Sequence, residues 1–199
     1  MSYINETCVC DGLTNHCSFC RFTKYLEFYA IEIHRWGINS AKTIQHLIKE
    51  LNEEESVLCE NDDGLLIRQL NVVTALIYFE TSDGTQHILR EENQVFGDGR
   101  MRQRENKDSS VSEKMKPNEN PEDAIKRGIQ EELNIQGDLI VTKYETTTQT
   151  NYSDSYPTLL SQYNIHRYRV HLSKEQFNAD GYIEKQQDKT TTFVWSKIP

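Results

Sequence analysis

From Leu65 to Glu80 the chain carries Ile67, Leu70, Val72, Val73, Ala75, Leu76, Ile77, Tyr78 and Phe79 with little polar interruption. β-Branched and aromatic side chains at that density predict a buried strand. Ser82-Asp83-Gly84 has the composition of a hairpin turn, and Gln86 to Val95 reads as the returning strand, its alternation imperfect around Ile88 and Leu89. A hairpin here commits the fold to a sheet.

Upstream the period changes. Phe22, Leu26, Tyr29 and Ile33, then Ile44, Leu47, Ile48 and Leu51, recur three and four residues apart, as one face of a helix requires. Two helices are expected between Phe22 and about Leu58, broken at Gly37, with Ser40 as N-cap of the second. Glu50 to Asp63 holds seven acids and no base, which reads as a solvated helix end and loop.

Twenty-two Lys and Arg against 31 Asp and Glu leave a formal charge of −9, which argues against non-specific binding to nucleic acid or anionic lipid. With 36% hydrophobic and 10% aromatic residues, a chain of 199 residues can bury a full core. No apolar run approaches the roughly 18 to 20 residues that cross a bilayer, and the first residues lack a basic and apolar leader. A soluble protein of the cytoplasm or another intracellular compartment, with no membrane partner, is the expectation.

Four of the five cysteines, Cys8, Cys10, Cys17 and Cys20, crowd the N-terminus. The two-residue spacing of Cys17 and Cys20 suits two thiolates on one tetrahedral zinc, and Cys8, Cys10 and His16 offer the remaining ligands of a structural Zn2+ site. Cys8 and Cys10 have one intervening residue and point apart in an extended chain, so a turn at Asp11-Gly12 would have to reorient them. The alternative is a set of reduced thiols in a loosely ordered terminus.

After the hairpin, Arg100, Arg102 and Arg104 alternate with other residues, so in an extended segment their guanidinium groups share one side. Such forks suit phosphate oxygens, and an acidic chain with one arginine cluster fits a phosphate-containing small molecule better than a long nucleic acid. The other reading is a mobile charged loop. Histidines spaced for metal, a glycine-rich phosphate loop and a nucleophile elbow do not appear in the sequence, so serine or cysteine nucleophile chemistry is unsupported.

Glu113 to Ile135 carries the most chemistry. Asn120 can cap a helix, Pro121 fits its first position, Glu122 and Asp123 set negative charge on its positive end, and Asn134 suits a left-handed end. A helix from about Pro121 to Leu133 follows. Ile125, Ile129 and Leu133 form its apolar stripe, and Glu132 projects within about 20° of Ile125, which breaks the binary pattern. Glu131 follows Arg127 by one turn, so an ion pair is available. An adjacent carboxylate pair at the rim of a buried face suits Mg2+, and the competing reading is a glutamate that pairs with a base as it leaves the core.

This segment resembles the Nudix box: Gly, five residues, Glu, seven residues, Arg-Glu, a hydrophobic residue, any residue, Glu-Glu, any residue, Gly, a hydrophobic residue. Glu119, Arg127, Ile129, Glu131, Glu132 and Ile135 match in register. Glu113 stands at the first Gly, Gly128 at the Glu after Arg, and Asn134 at the last Gly. In Nudix hydrolases the Glu at the Gly128 position is one of the carboxylates that bind the catalytic metal.

The resemblance implies an α+β protein, a Nudix-like α/β/α sandwich with a mixed β-sheet over residues 65–199. It is preceded by a cysteine-containing segment at 1–24 and a helical segment with an acidic linker at 25–64. Further strands are expected at about Asp138 to Thr147, Tyr163 to Leu172 and Thr192 to Trp195. For function the resemblance implies attack of a metal-activated water on a diphosphate, usually that of a nucleoside. Glu131 and Glu132 would bind Mg2+ or Mn2+, Arg127 would orient the helix through Glu119, and Arg100, Arg102 or Arg104 would steady phosphate oxygens. Glu122, Asp123 or a later acid such as Glu145 or Glu184 would have to replace the acid missing at Gly128; Glu122 faces elsewhere, and Glu145 on the following strand is the better candidate. Two readings follow: a weak divalent-metal-dependent diphosphate hydrolase, or a Nudix-like module that binds a nucleotide or a protein partner without turnover. Ser153 to Tyr163, with Tyr156, Pro157 and Tyr163, reads as a loop leading into a strand; in the binding module its tyrosine rings would line a pocket for a base, and the alternative is hinge packing.

Overall fold

The computed structural model describes Ile4, Thr7 and residues 17–97, 99–103, 109–187 and 189–198. Among the described residues three α-helices, α1 (Ser18–Phe28), α2 (Ile44–Asn52) and α3 (Pro121–Leu133), accompany nine strands. The strands are β1 (Val57–Glu60), β2 (Leu66–Glu80), β3 (Gln86–Phe96), β4 (Met101–Arg102), β5 (Val111–Lys114), β6 (Ile140–Ser153), β7 (Tyr156–His171), β8 (Tyr182–Lys185) and β9 (Lys189–Lys197). The class is α+β, with a mixed sheet.

The strand order is β6-β7-β2-β3-β9-β8, with β1 and β5 on β2 and β4 on β3. The β2 strand meets three antiparallel partners in succession: β1 at Leu66 to Gln69, β5 at Val72 to Ala75 and β3 at Tyr78 to Glu80. Gln69 bonds Gln162, and Tyr78 stacks on His171 the same step further along both strands, so β2 and β7 run parallel. Thr148 beside Asn164 and Glu145 beside Arg167 give β6 and β7 the opposite sense.

The fold comprises two compact units, residues 1–71 with 148–164, and residues 72–147 with 165–199. In the first, Leu26, Leu47, Ile48, Leu66, Tyr156 and Leu159 form the core. The second is built on Val73, Ile77, Leu89, Val111, Ile125, Ile129 and Phe193.

Several expectations are corrected in the first unit. The helical period does not persist to Leu58: α1 ends at Phe28, a 3-10 turn covers Ile33–Arg35, and α2 ends at Asn52. Ser40 does not cap α2; Thr43 does, in extended backbone, its N–H donating to His46 Nδ1 at 3.1 Å. The acidic stretch is not all solvated loop. Val57, Leu58 and Cys59 join β1, turned back by Asn61, whose side chain accepts the N–H groups of Asp63 and Leu65. Glu50 is buried at 4% exposure, its carboxylate 2.6 Å from Arg68 Nη2 and 2.7 Å from Lys42 Nζ. Ser153 to Tyr163 is not a loop: Asp154 and Ser155 make a tight turn between β6 and β7, Tyr156 to Tyr163 is already β7, and Tyr156 is fully buried against Trp36 at a ring separation of 5.1 Å. Its ring is thus a core element of this unit.

Candidate functional site

Helix α3 begins where local chemistry dictates. The Asn120 side chain accepts the Glu122 N–H at 2.8 Å, Pro121 needs no donor partner, and Glu122 and Asp123 lie in the first turn. Asn134, at φ +54°, takes the left-handed conformation that ends it. Ala124, Ile125, Gly128, Ile129 and Leu133 turn inward.

Arg127 links this helix to the preceding loop. Its Nε and Nη2 donate to the two carboxylate oxygens of Glu119 at 2.8 and 3.0 Å, and Nη2 also donates to the Lys114 carbonyl at 2.9 Å. Nη1 lies 3.2 Å from Glu131 Oε2 and 3.3 Å from Glu113 Oε1. Glu119 further accepts the Lys116 N–H at 2.8 Å. The bond from Arg127 is the main cause that holds the Glu119 carboxyl below its ordinary pKa, and the same pairing raises that of Arg127.

Beside α3 lies a cavity of about 400 Å3 lined by Glu91, Glu113, Glu131, Glu132 and Glu184, with Lys189 its one cation among the described residues. Gln94, Gln186 and three serines complete the wall. Glu131 and Glu132 are thus on one cavity wall. Glu91 and Glu113 were missed as site residues; the signal available for Glu91 was a charge within the predicted returning strand, where it is 8% exposed. Glu184 lies at the cavity, whereas Glu145, the preferred substitute for the acid missing at 128, does not line it and pairs with Arg167 at 3.1 Å.

Of the arginine cluster, the two described members are not among the lining residues. Arg100 lies over the Phe96 ring at 5.5 Å, Arg102 pairs in register with Gln94, and neither lines the cavity. Arg104, Cys8, Cys10 and His16 fall outside the described residues, while Cys17 precedes α1 and Cys20 lies in its first turn. A larger hollow of about 830 Å3 occurs in the first unit, but Arg35 and Asp154 are its only charged lining groups among the described residues, so it lacks the donors for the expected chemistry.

Among the described residues no three His, Cys, Asp or Glu side chains are already arranged around one metal position. Arg127 draws Glu113 and Glu131 toward itself. The donor set nonetheless fits a hard divalent cation, because the cavity offers carboxylate oxygens and no competing thiolate or imidazole. The described helices include none long and apolar enough to cross a membrane.

No protein-family model matches the sequence, and no curated protein matches it. Solved structures with a similar chain path include the C. elegans Ap4A hydrolase, at 15% identity and TM-score 0.36 over 64% of this chain and 80% of that one. A Nudix hydrolase from M. smegmatis, RenU, gives 10% identity and TM-score 0.38 over 71% of this chain and 79% of that one. The NUDIX domain of Shewanella oneidensis NrtR, complexed with ADP ribose, gives 12% identity and TM-score 0.36 over 65% and 73%.

Proposed function

We propose that this chain is a Nudix-like protein that binds a nucleoside-diphosphate-type ligand through Mg2+ or Mn2+ in the acidic cavity beside α3 and hydrolyses it slowly. The observation that carries this reading is the joint presence of Glu131 and Glu132 on that cavity with the Glu119–Arg127 clamp at the base of the same helix. A cavity with five carboxylates and one lysine repels a bare diphosphate, so a cation must enter with the ligand. When bound, a divalent cation neutralises phosphate oxygens and lowers the pKa of the attacking water. The chain's own groups set the geometry around it. Arg127 holds α3 to the 114–119 loop, which keeps Glu131 and Glu132 at the wall, and Lys189 offers one fixed positive charge to a phosphate oxygen.

The second reading is a Nudix-like binding module without turnover. It is favoured by one observation: Arg127 already occupies Glu113 and Glu131, which leaves no preformed metal position among the described residues.

One assay separates the two. Phosphate and pyrophosphate release is followed over a panel of nucleoside diphosphate derivatives with Mg2+ or Mn2+, for the wild type and for Glu131→Gln with Glu132→Gln. Metal-dependent release that the double variant loses is the expected result. No release from folded, metal-loaded wild type overturns hydrolysis of these compounds and leaves the binding module.

A further inference from the structure

Gly128 sits where α3 packs tightly against β5. A Cβ built on it would lie 2.9 Å from Glu113 Cβ and 3.3 Å from Glu113 Cγ, inside the roughly 3.5 to 4.0 Å at which carbon atoms rest. The space that a side chain at 128 needs is taken by the stem of Glu113. The nearer atom, Cβ, is fixed by the β5 backbone, so it cannot swing aside as the tip of a long side chain would. Glu113 lines the same cavity as Glu131 and Glu132.

The two positions are also those at which the Nudix-like pattern is broken in opposite senses, Glu standing for Gly at 113 and Gly for Glu at 128. Along the chain these look like two separate losses. In space they are adjacent, and together they move one carboxylate from the helix to the strand.

A buried polar group lies next to the residues of the cavity wall. Thr191 is 1% exposed, and its Oγ1 has no hydrogen-bond partner among the described residues. In register it faces Gln94 on β3 and Glu184 on β8. Directly opposed residues of antiparallel strands share a face, and both of these partners line the cavity. Thr191 is not itself a lining residue, but a buried hydroxyl beside two that are, without a protein partner among the described residues, is a group that a polar neighbour would satisfy.

We infer that Glu113 is the third carboxylate of the divalent-cation site, supplied from β5 because Gly128 leaves room for it. The inference rests on the metal-dependent reading above. Arg127 then acts as the resting partner of the Glu113 and Glu131 carboxylates, which turn from it to the cation.

The test is Mn2+ binding to the full chain, read from the electron paramagnetic resonance of free Mn2+, with circular dichroism as the check on folding. Glu113→Gln keeps the stem and removes the charge. It should weaken Mn2+ binding by about tenfold or more. Exchange of the two residues, Glu113→Gly with Gly128→Glu, should recover most of the wild-type affinity. Failure of a folded exchanged protein to recover overturns the inference, because a group that acts only by packing or through Arg127 is not replaced by a carboxylate at 128. Should the exchanged protein not fold, Glu113→Gln is added to Arg127→Gln: a direct ligand weakens Mn2+ further, and no further change overturns the inference. Wild type that binds no Mn2+ overturns the metal-dependent reading itself, whereas wild type that binds with Glu113→Gln unchanged overturns this inference alone.

Discussion

Glu50 belongs by composition to a solvated acidic stretch, yet it is 4% exposed and bridges Lys42 and Arg68, itself 3% exposed. Burial of an ion pair is weak support for stability, but removal of one partner strands the other charge in the core. Glu50→Gln should therefore cost about 3 kcal/mol, read as a lowered urea midpoint. An unchanged midpoint would mean that Arg68 finds water. Nothing in the local sequence separates Glu50 from Glu53 or Glu54, because the distinction is made by Arg68 across the fold. Gly128 poses the same problem. A mid-helix Gly gives up about 1 kcal/mol relative to Ala, whereas crowding against Glu113 Cβ costs about 1 to 3 kcal/mol. Packing wins, so Gly128→Ala should lower stability by about 1 kcal/mol in urea unfolding. A gain in stability would show that β5 yields freely.

Among the elements, α3 was the most legible. Its bounds, its Asn120 cap and its left-handed Asn134 are all local effects, and they stand as the chain order suggests. Asn120→Ala should cost about 1 kcal/mol by thermal or urea unfolding, since the Glu122 N–H loses its acceptor. The clamp that begins this helix gives a pH signature. Glu119 has its folded pKa lowered below the ordinary 4.5, chiefly by the Arg127 bond, so its contribution is complete above 4.5 and fades as pH falls through the lower folded value. The stability gap between wild type and Glu119→Gln should hold from pH 7 to about 5 and shrink below 4.5. A gap independent of pH would mean that the carboxylate charge adds nothing. The later strands were read too short. The sequence predicts strands over 138–147 and 163–172, while β6 runs to Ser153 and β7 starts at Tyr156. The missed half of β6 is a Thr, Gln and Asn run whose burial does not alternate, so period two was not there to find. It is held by its neighbour, as where Thr148 donates to Asn164 at 2.9 Å.

For the molecule as a whole, the metal-dependent reading has a thermodynamic consequence that does not require turnover. A cation that binds only the folded chain stabilises it by about 2.7 kcal/mol at roughly 100 times its dissociation constant. Mn2+ should then raise the thermal midpoint of the wild type and leave that of Glu131→Gln with Glu132→Gln unmoved. Equal shifts in both proteins would place the cation elsewhere. The chain alone was enough for the α+β class, the central hairpin, the α3 helix and the Glu119, Arg127, Glu131 and Glu132 pattern, because caps, turns and apolar periods act over a few residues. It did not reveal that Glu91, Glu113 and Glu184 meet Glu131 and Glu132 at one cavity, that Glu113 fills the space beside Gly128, or that Glu50 and Tyr156 are buried. Those facts depend on strand register and on which element packs against which, and such contacts join residues far apart in the chain that carry no mark of one another in the sequence.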